Sequence, residues 1–234
     1  MVEIVAEISG NHGGLKSKML SMIWEASVCG CNYAKFQYYR PEDMPDVDEG
    51  SNWDMYERLR VPSYWLPDMF ECAKSNSIGL VASVFSVRAA QEMLEYDSPF
   101  VKIASMDSTP LSKDTFIDIV MEVHNKRDLV YSLDADLSFQ HGLATTGFQL
   151  VCPPGHPPSP TSIWETLRRF DPEYHHGFSD HTPGIETPLR FIRRGAKMIE
   201  KHFKLWEDKD CVDGHFSADP RTMTTLCRLA HNKQ

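Results

Sequence analysis

The 234-residue sequence contains no apolar run approaching the length of a membrane span, which excludes a helical membrane protein. Its first residues lack a charged segment followed by an apolar one, so the expected location is the cytoplasm. Basic charge is also scarce: 24 Lys and Arg against 33 Asp and Glu leave a net charge of −9. That balance argues against non-specific nucleic-acid binding and against anionic membrane surfaces. An anionic substrate would need a local cluster of positive charge. The six cysteines, Cys29, Cys31, Cys72, Cys152, Cys211 and Cys227, are scattered, and only the first two are close. One C-x-C pair without a matching second pair supports neither a disulfide framework nor a zinc site, and the thiols read as buried and reduced. No G-x-G-x-x-G follows the first apolar segment, and "SGNHGG" is not that dinucleotide fingerprint. Linkers and low-complexity tracts are absent too, which predicts a single domain over residues 1–234.

What is present is alternation. With 41% apolar residues and five tryptophans the chain can bury a large core. "EIVAEIS" reads as a strand, and "KSKMLSMIWEASVCG" has helical spacing with a stop at Gly30. The pattern recurs. "NYAKFQYY" is followed by a polar loop and the helix "SYWLPDMFECAKSN"; "IGLVASVF" by "SVRAAQEMLEYD"; "PFVKIAS" by "KDTFIDIVMEVHNK". "DLVYSL" precedes a weak, glycine-interrupted helix in "FQHGLATTG". Three more units pair "FQLVCPP" with "SIWETLRRF", "HHGFSDH" with "GIETPLRFIRRG", and "KMIEKHF" with "PRTMTTLCRLAHNK". Eight βα units predict an α/β fold, a closed (β/α)8 TIM barrel, with an open doubly wound sheet as the alternative.

In such a barrel the chemistry belongs at the C-terminal ends of the strands. Polar residues concentrate there: Glu7, Asn11 and His12 after the first strand, Lys35 and Gln37 on the second, Ser83 on the third. Lys102, Ser105 and Asp107 follow on the fourth, Ser132 on the fifth, Ser179, Asp180 and His181 on the seventh, and Glu200 with His202 on the eighth. A strand lysine usually snorkels to solvent or pairs with a carboxylate. Lys35 in "YAKFQYY" and Lys102 in "FVKIAS" have apolar or aromatic neighbours in strands that should be covered on both sides, which favours a functional role. Two histidines at adjacent strand ends suit Mn, Zn or Fe when joined by oxygen ligands, while a core or capping role stays open for each. Asp180 reads as a helix cap or as a partner orienting a histidine, and His12 as a turn residue.

Taken together, "AEISGNHGG", "AKFQ", "VKIAS", "GFSDHTPG", "IEKHF" and "DGHFS" resemble, in order, the motifs of the sialic acid synthase family, which includes legionaminate and pseudaminate synthases and some spore-coat polysaccharide proteins. The resemblance runs from about Ala6 to Ser217. It implies a transferase that condenses phosphoenolpyruvate with the open-chain aldehyde of an N-acylated hexosamine such as N-acetylmannosamine, giving a nonulosonic acid and phosphate. It implies a divalent metal, manganese with magnesium or cobalt as alternatives, held by His181 and His202. Lys35, Ser83, Lys102, Ser105, Ser132 and Ser179 resemble the phosphoenolpyruvate shell, in which ammonium charge and hydroxyls replace water. The carboxylates Glu7, Asp107, Glu200 and Asp213 match positions expected to guide water, move protons and hold sugar hydroxyls.

The departures from that pattern concern the sugar side. The family's T-P-F after the third strand is "SVF" here, a common glutamate after K-I-x-S is Asp107, and S-T-G-M after the fifth strand is "SLDA". The T-N-x-Y-P segment that touches the sugar is replaced by "CPPGHPP", with Pro154 and His156 at the asparagine and tyrosine positions. Typical members continue into a small antifreeze-like domain, which is not expected in residues 1–234; the partners expected are the two substrates, a second copy in a homodimer, or a separate lid-supplying protein. The alternative function is a degenerate metal- or anion-binding barrel, or a partner subunit, without turnover. An aldol cleavage is a third, smaller option.

Overall fold

The computed structural model describes residues 1–44, 51–104, 112–134, 147–208 and 211–232. Eight parallel strands close into a barrel in chain order: β1 (Glu3–Glu7), β2 (Tyr33–Tyr38), β3 (Gly79–Val84), β4 (Phe100–Ile103), β5 (Asp128–Asp134), β6 (Phe148–Cys152), β7 (Gly177–Asp180) and β8 (Met198–His202). The last strand pairs with the first over Glu3↔Met198 to Glu7↔His202, which closes the ring. The (β/α)8 barrel expected from the alternation is the observed fold, and the open sheet is excluded by that pairing.

The helices are α1 (Lys16–Val28), α2 (Ser51–Leu59), α3 (Leu66–Ser75), α4 (Val87–Leu94), α5 (Lys113–Val123), α6 (Pro160–Arg169), α7 (Glu186–Arg193) and α8 (Pro220–His231). Most of them bury a stripe of spacing three and four. In α1 that stripe is Met19, Met22, Ile23 and Ala26, and in α8 Met223, Leu226, Cys227 and Ala230, all buried. Start signals are local. Ser86, Ser112, Ser159 and Asp219 accept the backbone N–H three residues on, and Pro160 and Pro220 occupy the first helical position, where a missing N–H costs nothing.

Two sequence expectations need comment. The stretch after β2, read as a polar loop, contains α2; "SNWDMYERL" is too polar to announce a helix, and its packing rests on few residues, including Tyr56 edge-on to Tyr39 and a buried Leu59. The weak fifth helix in 139–147 lies outside the described residues apart from Gly147. Among the described residues no helix is long and apolar enough to cross a membrane.

Inside the barrel the period-two alternation of strands sorts residues into layers. The lower layer is apolar: Val5, Val81, Phe100, Val130, Leu150 and Met198, with Tyr33 against it. β7 contributes Gly177 there, because a Cβ would sit 2.1 Å from the Met198 carbonyl oxygen and 2.7 Å from Leu150. Two residues further along each strand stand Glu7, Lys35, Ser83, Lys102, Ser132, Cys152, Ser179 and Glu200. The apolar plug closes the barrel from below, so this polar layer is the floor of whatever site opens above it. Outward-facing side chains pack the helices onto the sheet, as in the parallel stack of Phe178 on Phe191 with ring centroids 3.9 Å apart.

Candidate active site

One cavity of ≈ 130 Å³ opens at the C-terminal mouth of the barrel, and its floor is the polar layer. Pockets for drug-sized ligands run to about 300–1,000 Å³, so this one suits a compact polar molecule. Ten of the twelve residues given a substrate, catalytic or metal role in the sequence line it: Glu7, Lys35, Ser83, Lys102, Ser132, Ser179, His181, Glu200, His202 and Asp213. The other two, Ser105 and Asp107, lie outside the described residues.

The two lysines are the centre of the arrangement. Lys35 on β2 is 4% exposed; its Nζ lies 2.5 Å from Glu7 Oε2 and 3.3 Å from Glu200 Oε2, and donates to Ser83 Oγ at 2.7 Å. Lys102 on β4 is 1% exposed; its Nζ donates to Ser132 Oγ at 2.7 Å and to the Ile103 carbonyl at 3.3 Å, and stands 3.7 Å from Glu200 Oε2. Glu200 also accepts from Ser179 Oγ at 2.7 Å. Lys102 is thus the less neutralised cation, with one carboxylate at a longer distance where Lys35 has two.

The titration behaviour follows that difference. Burial pushes Lys102 down to about 8, and the Lys35 charge adds to the effect against the pull of Glu200. Burial also opposes charge on Lys35, but Glu200 and Glu7 outweigh it and raise its pKa. Burial would raise Glu200 as well; Lys102, Lys35 and the Ser179 hydroxyl overcome it and hold the carboxyl at about 2. Glu7 goes the other way. Burial, reinforced by the Glu200 charge, lifts its pKa above the usual carboxylate value, and Glu7 Oε1 has no hydrogen-bond partner among the described residues. The pKa values of two carboxyls that share Lys35 are therefore pushed in opposite directions, a pattern typical of acid–base sites.

Above the lysines sit the imidazoles. His181, just past β7, and His202, ending β8, have ring centroids 4.9 Å apart, and Phe216 presents its ring to both at 5.7 and 4.8 Å. Burial holds His181 well below its usual pKa, with His202 and His156 adding to the effect, so its ring is neutral and carries a free lone pair. His202 Nδ1 lies 3.2 Å from Asp213 Oδ2, near but out of line for a straight hydrogen bond. Burial would raise Asp213, yet His202 and the Ser9 hydroxyl hold its carboxyl below the usual range. In donor chemistry two adjacent imidazoles and a carboxylate fit a divalent transition ion. Among the described residues, however, no group of three or more His, Cys, Asp or Glu forms a ready-made cage.

Other residues join the site without having been assigned to it. Gln37 lies two positions beyond Lys35 and was identifiable from strand alternation alone. Cys152, read as an inert thiol, faces the cavity with Sγ 3.7 Å from His181 Nδ1, and burial lifts its pKa to about 12. His156 stands edge-on to His181 at 4.2 Å. Ser9 lines the wall from a 3-10 turn, Ser9–His12, and no sequence signal marked it. His12 does not line the cavity. Its Nδ1 accepts the Gly14 N–H at 3.1 Å and its ring meets Trp65 edge-on, so the turn role expected for it holds. Asp180 likewise points away, pairing with Lys201 at 2.8 Å with both side chains 0% exposed, and its Oδ1 accepts from the Thr182 N–H and hydroxyl.

Comparison with known proteins bears on this cavity. The sequence profile of the NeuB family matches residues 22–127 and 162–234. A pseudaminic acid synthase of Campylobacter jejuni is 26% identical over 93% of the chain and 69% of its own length. An N-acetylneuraminate-9-phosphate synthase of Drosophila melanogaster is 23% identical over 99% of the chain and 68% of its own length. A crystal structure of N-acetylneuraminic acid synthetase from Leptospira borgpetersenii, in complex with citrate, superposes with a TM-score of 0.82 at 23% identity, covering 98% of this chain and 82% of that one. At that identity the superposition speaks for the fold.

Proposed function

The chain belongs to the NeuB family, the sialic acid synthase-like enzymes, and from that membership we propose that it is a transferase joining phosphoenolpyruvate to the open-chain aldehyde of an aldose of the N-acetylmannosamine type. The products are a nonulosonic-type sugar acid and phosphate. The observation that carries the proposal is the pair of buried lysines, each aimed at a strand-end serine, beneath two imidazoles in one small cavity.

Phosphoenolpyruvate carries a carboxylate and a phosphate on three carbons, a shape suited to the floor of this cavity. Lys35 and Lys102 supply the positive charge that an acidic chain must localise, and Ser83, Ser132 and Ser179 supply hydroxyls in place of water. Incoming anionic charge favours protonated Lys102, so binding and the charge state of that lysine reinforce each other. Ser105, which follows β4 in the sequence, belongs to the same proposed shell, and Asp107 to the proposed set of carboxylates.

The enol carbon bonds to the aldehyde carbon, a water oxygen adds to the carbon bearing the phosphate, and phosphate leaves with its bridging oxygen. Glu7 is placed for the proton transfers: burial raises its pKa above the usual carboxylate value, and its Oε1 has no hydrogen-bond partner among the described residues. Glu200, held ionised, keeps both lysines in place and stabilises positive charge developing above it. Asp213 orients His202 and completes the wall on the sugar side. A divalent ion, with manganese the first choice and magnesium or cobalt as alternatives, would be held by His181 and His202, its remaining positions falling to water or substrate. When bound, it supplies Lewis-acid polarisation of the aldehyde.

The test is phosphate release from phosphoenolpyruvate with Mn²⁺ across a panel of N-acetylmannosamine, simpler hexoses and pentoses. Release that depends on a sugar is expected. Intact phosphoenolpyruvate and metal binding without release from any sugar would refute the synthase and leave a binding barrel.

A further inference from the structure

The 3-10 turn after β1 holds a residue the reaction does not touch, yet which grips the segment that does. Asn11 is 0% exposed and lies outside the cavity wall. Its Nδ2 donates to the Phe203 carbonyl at 2.8 Å and to Ser217 Oγ at 3.0 Å, and its Oδ1 accepts the Asp213 N–H at 3.0 Å. All three partners belong to the β8–α8 connection, about 200 residues along the chain. Ser217 in turn donates its hydroxyl to the Asp213 carbonyl at 2.7 Å. The peptide groups on both sides of the Asp213 side chain are therefore held, directly or through Ser217, by one amide.

The turn is also strained on the same side. Ser9 has φ 48°, the left-handed region that residues with a Cβ seldom occupy, and it lines the same cavity as Asp213. A glycine would relieve the backbone but remove the Ser9 hydroxyl. One short turn thus holds the Asp213 backbone through Asn11 and borders the same cavity through Ser9, and the Asp213 carboxylate faces His202 Nδ1.

We infer that Asn11 is a positioning residue, seconded by Ser9, that fixes Asp213 against His202 so that the imidazole is presented in one tautomer and one orientation to a divalent ion. The inference rests on the reading of His202 as a metal-holding residue. A carboxylate this close to one ring nitrogen favours the proton there by its charge, even out of line for a straight hydrogen bond, and leaves the lone pair of the other nitrogen for the metal; loss of such outer partners typically weakens metal affinity about 10- to 100-fold.

The test is Mn²⁺ binding to the free protein by electron paramagnetic resonance titration, with no substrate present. Asn11→Ala should weaken Mn²⁺ binding about 10- to 100-fold, and Asn11→Asp, which keeps the acceptor for the Asp213 N–H, should recover part of the loss. Ser9→Gly should weaken it without lowering the melting temperature, so the inference stays testable even if Asn11→Ala folds poorly. Phosphoenolpyruvate affinity of the metal-free protein, measured by calorimetry, should not move in Asn11→Ala or Asn11→Asp. Asn76→Ala, which removes a buried-end bond to the Cys72 carbonyl at 2.7 Å far from the cavity, controls for stability loss alone and should leave Mn²⁺ affinity unchanged. Wild-type Mn²⁺ affinity in Asn11→Ala and Ser9→Gly, alongside weakened binding in His202→Ala, would overturn the inference alone. Wild-type affinity in His202→Ala would overturn the metal reading and the inference with it.

Discussion

Replacing Lys102 with methionine should make the protein more stable and disable it. Burial lowers this lysine from 10.5 to about 8, so the charged form is less comfortable in the folded state than in water. At pH 7 the lysine is protonated in both states, and the displacement of some 2.5 pH units corresponds to about 3 kcal/mol against folding. Methionine is close in length and leaves no charge to desolvate. The substitution forfeits the bond to Ser132 Oγ at 2.7 Å, worth about 1–2 kcal/mol; the attraction of Glu200 at 3.7 Å is already contained in the pKa of about 8. Glu200 keeps Lys35 at 3.3 Å and Ser179 at 2.7 Å, so it is not orphaned. The net expectation is a gain of about 1–2 kcal/mol, or a rise in melting temperature of roughly 2–8 °C for a domain of this size. The sign can be checked by pH. A lysine whose folded pKa is depressed penalises folding fully below about 8, and the penalty fades as pH rises toward 10.5, so the advantage of Lys102→Met should shrink over that window. Phosphoenolpyruvate affinity should fall at least about 30-fold, taking about 2 kcal/mol as the lower end for removing one partner of a buried charge pair. Thermal scans at pH 7 and pH 10 with calorimetric titration settle both halves. A destabilised variant, or one that binds phosphoenolpyruvate normally, would refute the view of Lys102 as a charge kept for a ligand.

In the wild-type protein, phosphoenolpyruvate affinity should decline as pH is raised through about 8, because Lys102 loses its proton there; affinity that is flat from pH 7 to pH 9.5 in calorimetry would contradict this. Asp180→Ala should lower stability by about 3–5 kcal/mol by stranding Lys201 in a site where both side chains are 0% exposed, read as a drop in melting temperature, and an exposed-pair effect below about 1 kcal/mol would show the pair is not a lock between β7 and β8. His181→Ala and His202→Ala should each lose metal on dialysis, measured by elemental analysis, while full metal retention in both would remove the imidazole pair from the metal site.

Much of the barrel was legible because barrels write themselves in two periods. The spacing of Met19, Met22, Ile23 and Ala26 marks α1, and charges inside apolar strands, Lys35 and Lys102 above all, mark the inward layer that floors the candidate site. What could not be read depends on contacts that sequence distance conceals. Asn11 meets Asp213 across 202 positions, and Ser9 borders the same cavity only because its backbone turns left-handed. Cys152 looks like any buried thiol until β6 is placed beside β7. The polar face of α2 hid a helix whose few packing contacts come from tertiary neighbours such as Tyr39.

The central claim, that this cavity joins phosphoenolpyruvate to an aldose by carbon–carbon bond formation, is tested most directly by running the reaction with N-acetylmannosamine in ¹⁸O-water and weighing both products. The account predicts a nine-carbon keto acid, and phosphate free of solvent oxygen, because phosphate departs with its own bridging oxygen. Phosphate carrying ¹⁸O, with no condensed acid, would mean simple hydrolysis at phosphorus and would contradict it.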